Sequence, residues 1–371
     1  MSHCVTVKIP AEKSAQYPIW IGAGVLNKLP LWLRRHYPKH TVVVISDKTV
    51  MRILAKKVVS SIRQKKFKVV TIEIPAGEKS KSRDVMQSVE KRMFAEHCGR
   101  DTIIIAMGGG VVGDLAGFVA ATYMRGLPYI QVPTSLLAMV DSSVGGKTGI
   151  DTDYGKNLLG AFWQPKAVFA DTKALKTLPS AHIVNGLVEA LKMFMTHDAK
   201  SFSYAVHNLD KALACDVRIL ASIIQRAVTI KAAVVQRDEK ESGERMTLNF
   251  GHTIGHAVEH LSNYKVMHGA AVAMGILLEA KIAEMLGLLS EQGFQIIRDV
   301  LAELDITPRV LKQLNIDHLL KATQLDKKKK QGKVHYVLLS DLGKVHQSLK
   351  QFAHYVPDGT VRRAYKTLIG A

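Results

Sequence analysis

The sequence predicts an α/β domain with a parallel sheet, followed by a mainly α-helical domain. Apolar strands alternate with amphipathic helices over the first half of the chain, which is typical of a parallel sheet covered on both faces. From about residue 178 the alternation stops and long helical patterns follow. Because 371 residues are enough for two domains, we expect an N-terminal domain at residues 1–178 and a C-terminal domain at residues 179–371.

The individual elements follow from apolar runs bounded by turn residues. Two short strands are expected at residues 5–10 and 17–22, and a helix at 25–36. Four further strands are expected at residues 41–47, 67–75, 102–107 and 129–133, with helices at 48–65 and 80–97 and a third after residue 110. In the second domain we expect a long helix at residues 217–236, a strand at 334–339 and a closing helix at 360–370.

The net charge of +19 raises the question of nucleic-acid binding. The basic residues are spread along the whole chain with few aromatic residues among them, so no nucleic-acid surface is indicated. The positive electrostatic field that this charge creates is better explained by attraction of a small anionic substrate.

The cysteines and the N-terminus predict a cytoplasmic protein. Cys4, Cys98 and Cys215 are scattered and form no CxxC pair, which favours a reducing compartment. The N-terminal segment lacks the apolar stretch of a signal peptide. Since no run of about 18 uncharged apolar residues occurs, no membrane partner is expected.

The turn after the predicted strand at 102–107 carries a glycine pattern. Gly108, Gly110 and Gly113 fit GxGxxG between a strand and a helix, where the backbone and the helix N-terminus can bind a pyrophosphate. A tight strand-to-helix corner would give the same pattern. No acid follows about 20 residues on, so Asp47, at the end of an earlier strand, is the better candidate for a ribose contact. We therefore expect a Rossmann-like variant.

The stretch from residue 133 to residue 160 is rich in polar side chains held between apolar ones. Asp141, Lys147, Lys156 and Asn157 are more polar groups than a plain connector needs. The apolar residues beside them favour burial, so a fully solvated loop is the weaker interpretation. The segment is expected to line a binding site for phosphate or carboxylate groups.

A second polar row lies in the C-terminal half. We expect a helix from about Asn249 to His260, in which Arg245, Asn249, His252 and His256 return to one face. Such a row has no use in an apolar core, and a solvated face would more often carry Lys and Glu. The pattern favours a functional face.

Three histidines and one acid are the candidate metal ligands. The HxxxH pair His252 and His256 can arise by chance, but His268 in the next turn adds a third imidazole. Glu189 lies in an apolar helical pattern with Lys192 three residues on, and a buried carboxylate needs a cation or a proton. Two histidines and one glutamate form a known zinc set with an open fourth position. The pattern is not HExxH, so the metalloprotease template does not apply.

The chain resembles the 3-dehydroquinate synthase family in segments that span most of its length. These segments are GGGVVGDLAGFVAATYMRG, VPTSLLAMVDSSVGGKTGID, GKNLLGAFWQP, DEKESGERMTLNFGHTIGHAVEH and LDKKKKQGKVHYVLL. The resemblance implies an N-terminal NAD-binding domain, a helical metal-binding domain and an active site in the cleft between them. It also implies Zn²⁺, or Co²⁺, bound by Glu189, His252 and His268.

The resemblance assigns further site residues. The implied substrate contacts are Arg125, Asp141, Lys147, Lys156, Asn157, Lys192, Lys231, Arg245, Asn249, His256 and one or both of Lys327 and Lys328. The expected catalytic residues among them are Lys147, Lys192, Lys231, Arg245, Asn249 and His256. The implied NAD contacts are Asp47, Glu78, Lys81, Gly109, Gly110, Val111, Val112, Gly113, Asp114, Thr134, Ser135, Lys147, Lys156, Ala174, Leu175, Lys176 and Thr177.

The chain departs from the family pattern at a few positions. Ala270 stands where an acid is usual, His182 lies in a segment that lacks a common Arg-Glu pair, and Asp151 replaces an Asn. Met193 and Phe194 replace a Tyr-Gly pair. None of these changes removes an expected ligand or substrate contact.

The implied reaction converts 3-deoxy-D-arabino-heptulosonate 7-phosphate into 3-dehydroquinate and phosphate, a step of the shikimate pathway toward chorismate and the aromatic amino acids. It proceeds by transient oxidation with NAD, elimination of phosphate, reduction and an intramolecular aldol closure. The alternatives are another sugar-phosphate cyclase, an NAD- and metal-dependent polyol dehydrogenase, and a cyclase-like binding protein without activity. The family usually forms homodimers, and we expect a homodimer here.

Overall fold

The computed structural model describes residues 16–324 and 333–370. The first eight strands are β1 (Ile19–Gly22), β2 (Thr41–Asp47), β3 (Val69–Ile74), β4 (Thr102–Gly108), β5 (Tyr129–Pro133), β6 (Lys147–Thr152), β7 (Gly155–Phe162) and β8 (Ala167–Asp171). Six of them form one sheet in the order β1-β8-β5-β4-β2-β3, and all neighbouring pairs are parallel. The predicted parallel sheet is confirmed. The predicted strand at 5–10 lies outside the described residues.

Helices cover both faces of this sheet. They are α1 (Leu29–His36), α2 (Lys48–Val50), α3 (Lys56–Arg63), α4 (Arg83–Ala95) and α5 (Gly110–Thr122), with a π-helical turn, Met51–Ala55, joining α2 to α3. One face of the sheet packs against α4 and α5, and the other packs against α1 and α3. Because β4, β5 and β8 are buried at every residue, their sequences are apolar rather than alternating.

The polar stretch that was expected to line a binding site contains the hairpin β6–β7, which was not predicted. The two strands pair antiparallel, with Gly149 opposite Gly160. A Cβ atom at either glycine would collide with the backbone of the opposite strand. The close pairing therefore requires both glycines. The side chains of β7 are mostly exposed or half-buried toward the cleft, which the apolar sequence Leu158–Leu159 did not indicate.

The C-terminal domain is mainly helical, as predicted. Its helices are α6 (Ser180–His197), α7 (Ala199–His207), α8 (Leu209–Leu213), α9 (Val217–Arg237), α10 (His252–Leu261), α11 (His268–Met285), α12 (Glu291–Glu303), α13 (Arg309–Lys312), α14 (Ile316–Thr323) and α15 (Asp358–Ile369). Short strands follow α14: β9 (His335–Tyr336), β10 (Leu339–Asp341), β11 (Lys344–Val345) and β12 (His354–Tyr355). Helices α6 and α11 are central, with buried residues on nearly every side.

One described helix, α9, is long and apolar enough to cross a membrane by length and composition alone. Its residues Leu220, Ile223 and Ala227 are fully buried in the helical core. Packing in the helical core therefore accounts for part of its apolar character.

The predicted helix from Asn249 to His260 is wrong at its start. The residues Glu244–Asn249 form a 3-10 turn, and α10 begins at His252. Gly251 lies between the two segments and has φ 76°, a left-handed conformation that favours glycine and interrupts the helix. Its N–H donates to Oε2 of the buried Glu279 at 2.7 Å. Arg245 and Asn249 therefore do not share a helix with the histidines, although Arg245, Asn249 and His256 line the same cleft.

Candidate active site

A cleft of about 3000 Å³ lies between the sheet and the helical domain. The predicted residues that line it are Asp47, Glu78, Lys81, Gly109, Gly110, Val111, Val112, Asp114, Thr134, Ser135, Asp141, Lys147, Lys156, Asn157, Ala174, Thr177, Lys231, Arg245, Asn249, His256 and His268. Residues that are distant in sequence are thus brought together by the tertiary structure.

The glycine turn lies at the centre of the sheet. Because β3 lies beyond β2 on one side and β5 lies beyond β4 on the other, the order in which successive strands join the sheet reverses between β2 and β4. Nucleotides bind parallel sheets at such a switch point, outside the carboxyl ends of the strands. Asp47 ends β2, and Gly108 ends β4. The turn that comes late in the sequence is therefore central in space.

The side chains around this turn are fixed by local contacts. Helix α5 begins at Gly110 with Gly109 as its N-cap and no side chain capping the free N–H groups. Asp47 accepts hydrogen bonds from the N–H groups of Thr49 and Val50 at 2.9 and 3.0 Å. The buried Lys81 forms an ion pair with Asp114 at 2.7 Å, which holds the next loop against α5.

Three residues from three helices form a candidate metal site. Glu189, His252 and His268 each offer one ligand atom, and these atoms lie within 4.8 Å of one another. Oε1 of Glu189 is 3.7 Å from Nε2 of His252 and 3.5 Å from Nε2 of His268. His256 is not part of this group among the described residues. Its ring centre is 5.3 Å from that of His252 and 6.2 Å from that of His268.

Glu189 is fully buried, and its two oxygens differ. Oε2 accepts from Nζ of the buried Lys192 at 2.5 Å, whereas Oε1 accepts no hydrogen bond within the described ranges. Burial would raise the pKa of Glu189, but the Lys192 ammonium and the His268 ring outweigh burial and lower that pKa. A buried carboxylate oxygen that faces two imidazoles fits a divalent cation, so the residues match the metal that the family resemblance implies.

The other ring nitrogens of the two histidines have partners of their own. Nδ1 of His252 is 3.2 Å from the carbonyl oxygen of Phe250, and Nδ1 of His268 is 3.2 Å from Oε2 of Glu259. Both contacts leave Nε2 directed toward Glu189, which is the usual arrangement of metal-binding histidines. Burial would lower the pKa of His268, but Glu189 and Glu259 raise it to about 10 in the metal-free chain.

A second group of charged residues lies on the cleft wall. Nζ of Lys231 is 2.7 Å from Oδ1 of Asp141 and 2.5 Å from its carbonyl oxygen. Burial alone would raise the pKa of Asp141, but Lys231 and Lys192 lower it well below its usual value. The buried Arg245 donates to the carbonyl oxygens of Gly145, at 3.1 Å, and of Glu239.

Two acids that sequence reasoning missed complete the wall. The Glu241 carboxylate accepts from Nζ of Lys147 and, at 2.5 Å, from Nδ2 of Asn249. Glu241 has φ 60°, a strained conformation of the kind that concentrates at functional sites. Oε1 of the buried Glu259 is 3.2 Å from Nζ of Lys156. Both acids lie within segments that carry the family resemblance, but spacing alone did not distinguish them.

A few predicted contacts do not line the cleft in the part of the chain that the structure describes. Arg125 is exposed in the turn between α5 and β5, at the amino end of the sheet and opposite the cleft. Arg125 therefore lies away from the cleft of its own chain, and its contact with substrate stays a prediction. Leu175 is buried in the core, Lys176 is exposed, and Gly113 packs against Gln131. Lys327 and Lys328 lie outside the described residues.

The departures from the family pattern have local explanations. Met193 and Phe194 are fully buried in the helical core, so they affect packing rather than the cleft surface. Asp151 accepts from the N–H of Asn157 at 2.8 Å and so holds the turn of the hairpin. His182 lines the cleft entrance beside Pro179. The structure offers no explanation for Ala270.

Comparisons with known proteins agree with this geometry. The model of the 3-dehydroquinate synthase N-terminal domain matches residues 71–185, and that of the C-terminal domain matches residues 186–329. The 3-dehydroquinate synthase of Desulforamulus reducens is 41% identical over 330 residues, which cover 89% of this chain and 92% of that protein.

Solved structures of related cyclases superpose on nearly the whole chain. A 2-epi-5-epi-valiolone synthase from Streptomyces hygroscopicus with NAD⁺ and Zn²⁺ bound has a TM-score of 0.88 at 25% identity and covers 98% of this chain and 99% of its own. A 2-deoxy-scyllo-inosose synthase in complex with carbaglucose-6-phosphate, NAD⁺ and Co²⁺ has a TM-score of 0.86 at 25% identity, with coverages of 94% and 96%. With both domain models matched and 41% identity to a relative across 89% of the sequence, the chain belongs to the 3-dehydroquinate synthase family of enzymes.

Proposed function

We propose that the cleft converts 3-deoxy-D-arabino-heptulosonate 7-phosphate into 3-dehydroquinate and phosphate, with NAD at the glycine turn and Zn²⁺ or Co²⁺ at Glu189, His252 and His268. The observation that carries this proposal is the buried Oε1 of Glu189, which faces two imidazoles beside a cleft lined with cations. A dehydrogenase-like metal site and an anion-binding wall in one cleft suit the oxidation and the phosphate elimination that the reaction needs.

The metal would polarise a substrate hydroxyl as a Lewis acid and lower its pKa. Glu189, His252 and His268 would hold it, and Lys192 neutralises the second oxygen of the glutamate. His256 lines the cleft beside this group, in reach of a bound substrate, and is suited to relay protons or to bind an anionic group.

NAD would accept a hydride and return it within one turnover. The free N–H groups at the start of α5 and the backbone of Thr134 and Ser135 are the expected pyrophosphate contacts. The Asp47 carboxylate, at the end of β2, is the expected ribose contact. Lys81 and Asp114 support this position through their ion pair.

The substrate carries a carboxylate at one end and a phosphate at the other, so both ends need cations. The Glu241 carboxylate between Lys147 and Asn249 supports this assignment, because those donors already hold a carboxylate of the protein itself. We propose that the substrate displaces Glu241 from Lys147 when it binds. Lys231 and Arg245 also line the cleft, as does Lys156 on β7 of the hairpin.

The two halves of the cleft come from different domains, with the boundary proposed at residues 178–179. We propose that they close on the substrate, since water must be excluded during elimination and reduction. We also propose a homodimer in the cytoplasm, without nucleic-acid or membrane partners. Light scattering of the purified chain tests the dimer, and a monomer at working concentration would contradict it.

The function is tested by following phosphate release from heptulosonate phosphate with purified protein, zinc and substoichiometric NAD. We expect many turnovers per NAD and no accumulation of NADH absorbance. Stoichiometric NADH from an unphosphorylated polyol would instead identify a polyol dehydrogenase.

The solved neighbours include cyclases that act on other sugar phosphates, so the choice of substrate needs a separate test. The several cations that line the cleft favour a substrate with two anionic ends. Turnover of sedoheptulose 7-phosphate, which lacks the carboxylate, should be far slower than turnover of heptulosonate phosphate. Comparable rates would mean that this chain is a different cyclase with the same metal site.

A further inference from the structure

One buried acid in the cleft has no role in the function proposed above. Glu259, on α10, is 4% exposed, and its two oxygens have different partners. Oε2 is 3.2 Å from Nδ1 of His268, and Oε1 is 3.2 Å from Nζ of Lys156. A carboxylate is costly to bury, and both of its oxygens here are paired with groups that bear on the reaction.

The contact between Glu259 and His268 determines how the His268 ring is oriented toward a metal. A carboxylate on Nδ1 fixes the ring orientation, directs Nε2 toward the ligand position and makes it a better donor. His252 receives the corresponding support from the carbonyl oxygen of Phe250, which carries no full charge. On Nδ1 of His268, by contrast, the supporting group is the carboxylate of Glu259.

The contact with Lys156 reaches the other domain. Lys156 lies on β7 of the hairpin, and its ammonium is also 3.6 Å from Oε1 of Glu78, in the loop beside the glycine turn. The same ammonium lies 4.4 Å from the ring centre of Tyr264, just beyond α10. Glu259 and Lys156 together therefore link three elements, which are helix α10, the β6–β7 hairpin and the loop that contains Glu78.

We propose that Glu259 is a positioning residue that orients the metal ligand His268 and the anion-binding Lys156 at the same time. Metal affinity and substrate binding are then coupled through one carboxylate that contacts neither metal nor substrate. This inference rests on the proposed metal site and substrate.

The first test measures metal affinity of the full-length chain by competition with a chromophoric chelator. Glu259→Ala should bind Zn²⁺ about 10–100-fold more weakly than wild type, the usual cost of losing such a supporting group. The d–d absorption of the Co²⁺ form should change as well. Glu259→Gln keeps an oxygen for the N–H of His268, so it should lose less affinity. Lys156→Met leaves the His268 contact intact and should bind metal as wild type does.

A matched control comes from helix α11. Glu284, far along the helix that starts at His268, pairs with Lys281 and contacts no expected metal ligand. Glu284→Ala should leave the metal affinity unchanged. If Glu259→Ala binds metal as tightly as wild type, the proposal is overturned. If wild type itself binds no metal, the proposed metal site fails first, and the two failures are thereby distinguished.

The second test addresses Lys156 by a double-mutant cycle on the KM for heptulosonate phosphate. Glu259→Gln and Lys156→Met should each raise KM, and the double variant should be no worse than Lys156→Met alone. Additive effects would show that Glu259 does not act through Lys156 and would overturn that part. If Glu259→Ala does not fold, as judged by circular dichroism, this cycle decides the matter with the Gln variant.

Discussion

The pair formed by Glu189 and Lys192 predicts opposite effects of one substitution on stability and on metal binding. In Lys192→Met the ammonium 2.5 Å from Oε2 of Glu189 is replaced by an apolar side chain of similar length. Both residues are at most 1% exposed, so no water replaces the lost partner. The carboxylate is then left buried with only the two imidazoles near its other oxygen.

The magnitude follows from this burial. Breaking a buried ion pair by removing one partner costs about 3–5 kcal/mol of the free energy of unfolding. A divalent cation on Oε1 compensates the carboxylate, so the loss should be smaller in the zinc-loaded chain. Each ~1.4 kcal/mol by which the two losses differ corresponds to a tenfold gain in zinc affinity. The variant should therefore be less stable than wild type and yet bind zinc more tightly.

The assay is urea unfolding followed by circular dichroism, on chelator-dialysed and zinc-saturated protein, with zinc affinity measured separately. Lys281→Met is the control, because its pair with Glu284 is more exposed and distant from the site. This variant should lower the free energy of unfolding by at most about 1 kcal/mol, with or without zinc. Equal destabilisation of Lys192→Met in both states, or weaker zinc binding, would refute the reasoning.

Three further predictions concern the same cleft. Dialysis against a chelator should abolish turnover and zinc or cobalt should restore it, whereas full activity in metal-free protein would contradict the site. His268→Ala should lower zinc occupancy, measured by elemental analysis, far more than His256→Ala, because His268 belongs to the group with Glu189 and His252 and His256 does not; equal losses would mean that the pair is assigned wrongly. Arg245→Lys should weaken heptulosonate binding by roughly 10–100-fold, because a charged hydrogen bond contributes about 1.5–3 kcal/mol and Lys lacks the bidentate geometry. An unchanged dissociation constant in calorimetry would remove Arg245 from the substrate site.

The strands at the sheet centre were predictable because burial on both faces leaves a continuous apolar signal. Residues 41–47 and 129–133 match β2 and β5 at both ends. The hairpin β6–β7 was missed because β7 is mostly exposed and neither strand alternates between polar and apolar residues. Its close pairing depends on Gly149 and Gly160. The strand β8 was not predicted, and its apolar run is only five residues long.

For the candidate site, the sequence predicts which residue types carry the chemistry but not which residues contact one another. Burying an unpaired glutamate in an apolar helix is costly, so the position of Glu189 in the sequence predicts a nearby cation. Helical spacing places His252 beside His256, whereas the family resemblance implied His252 and His268 as the ligands. The structure brings these two residues to Glu189, because α10 begins at His252 and α11 begins at His268.

The sequence by itself determined the fold class, the family and the inventory of chemical groups, because apolar periodicity, glycine turns and isolated charges are local properties of the chain. Only the tertiary structure decided which groups meet. It placed a late glycine turn at the central switch point of the sheet and set Arg125 at the opposite edge. It also brought Glu259 between His268 and Lys156. The contact between Lys156 and Glu259 joins residues 103 positions apart. Contacts of this kind depend on the packing of whole elements, which no local pattern encodes.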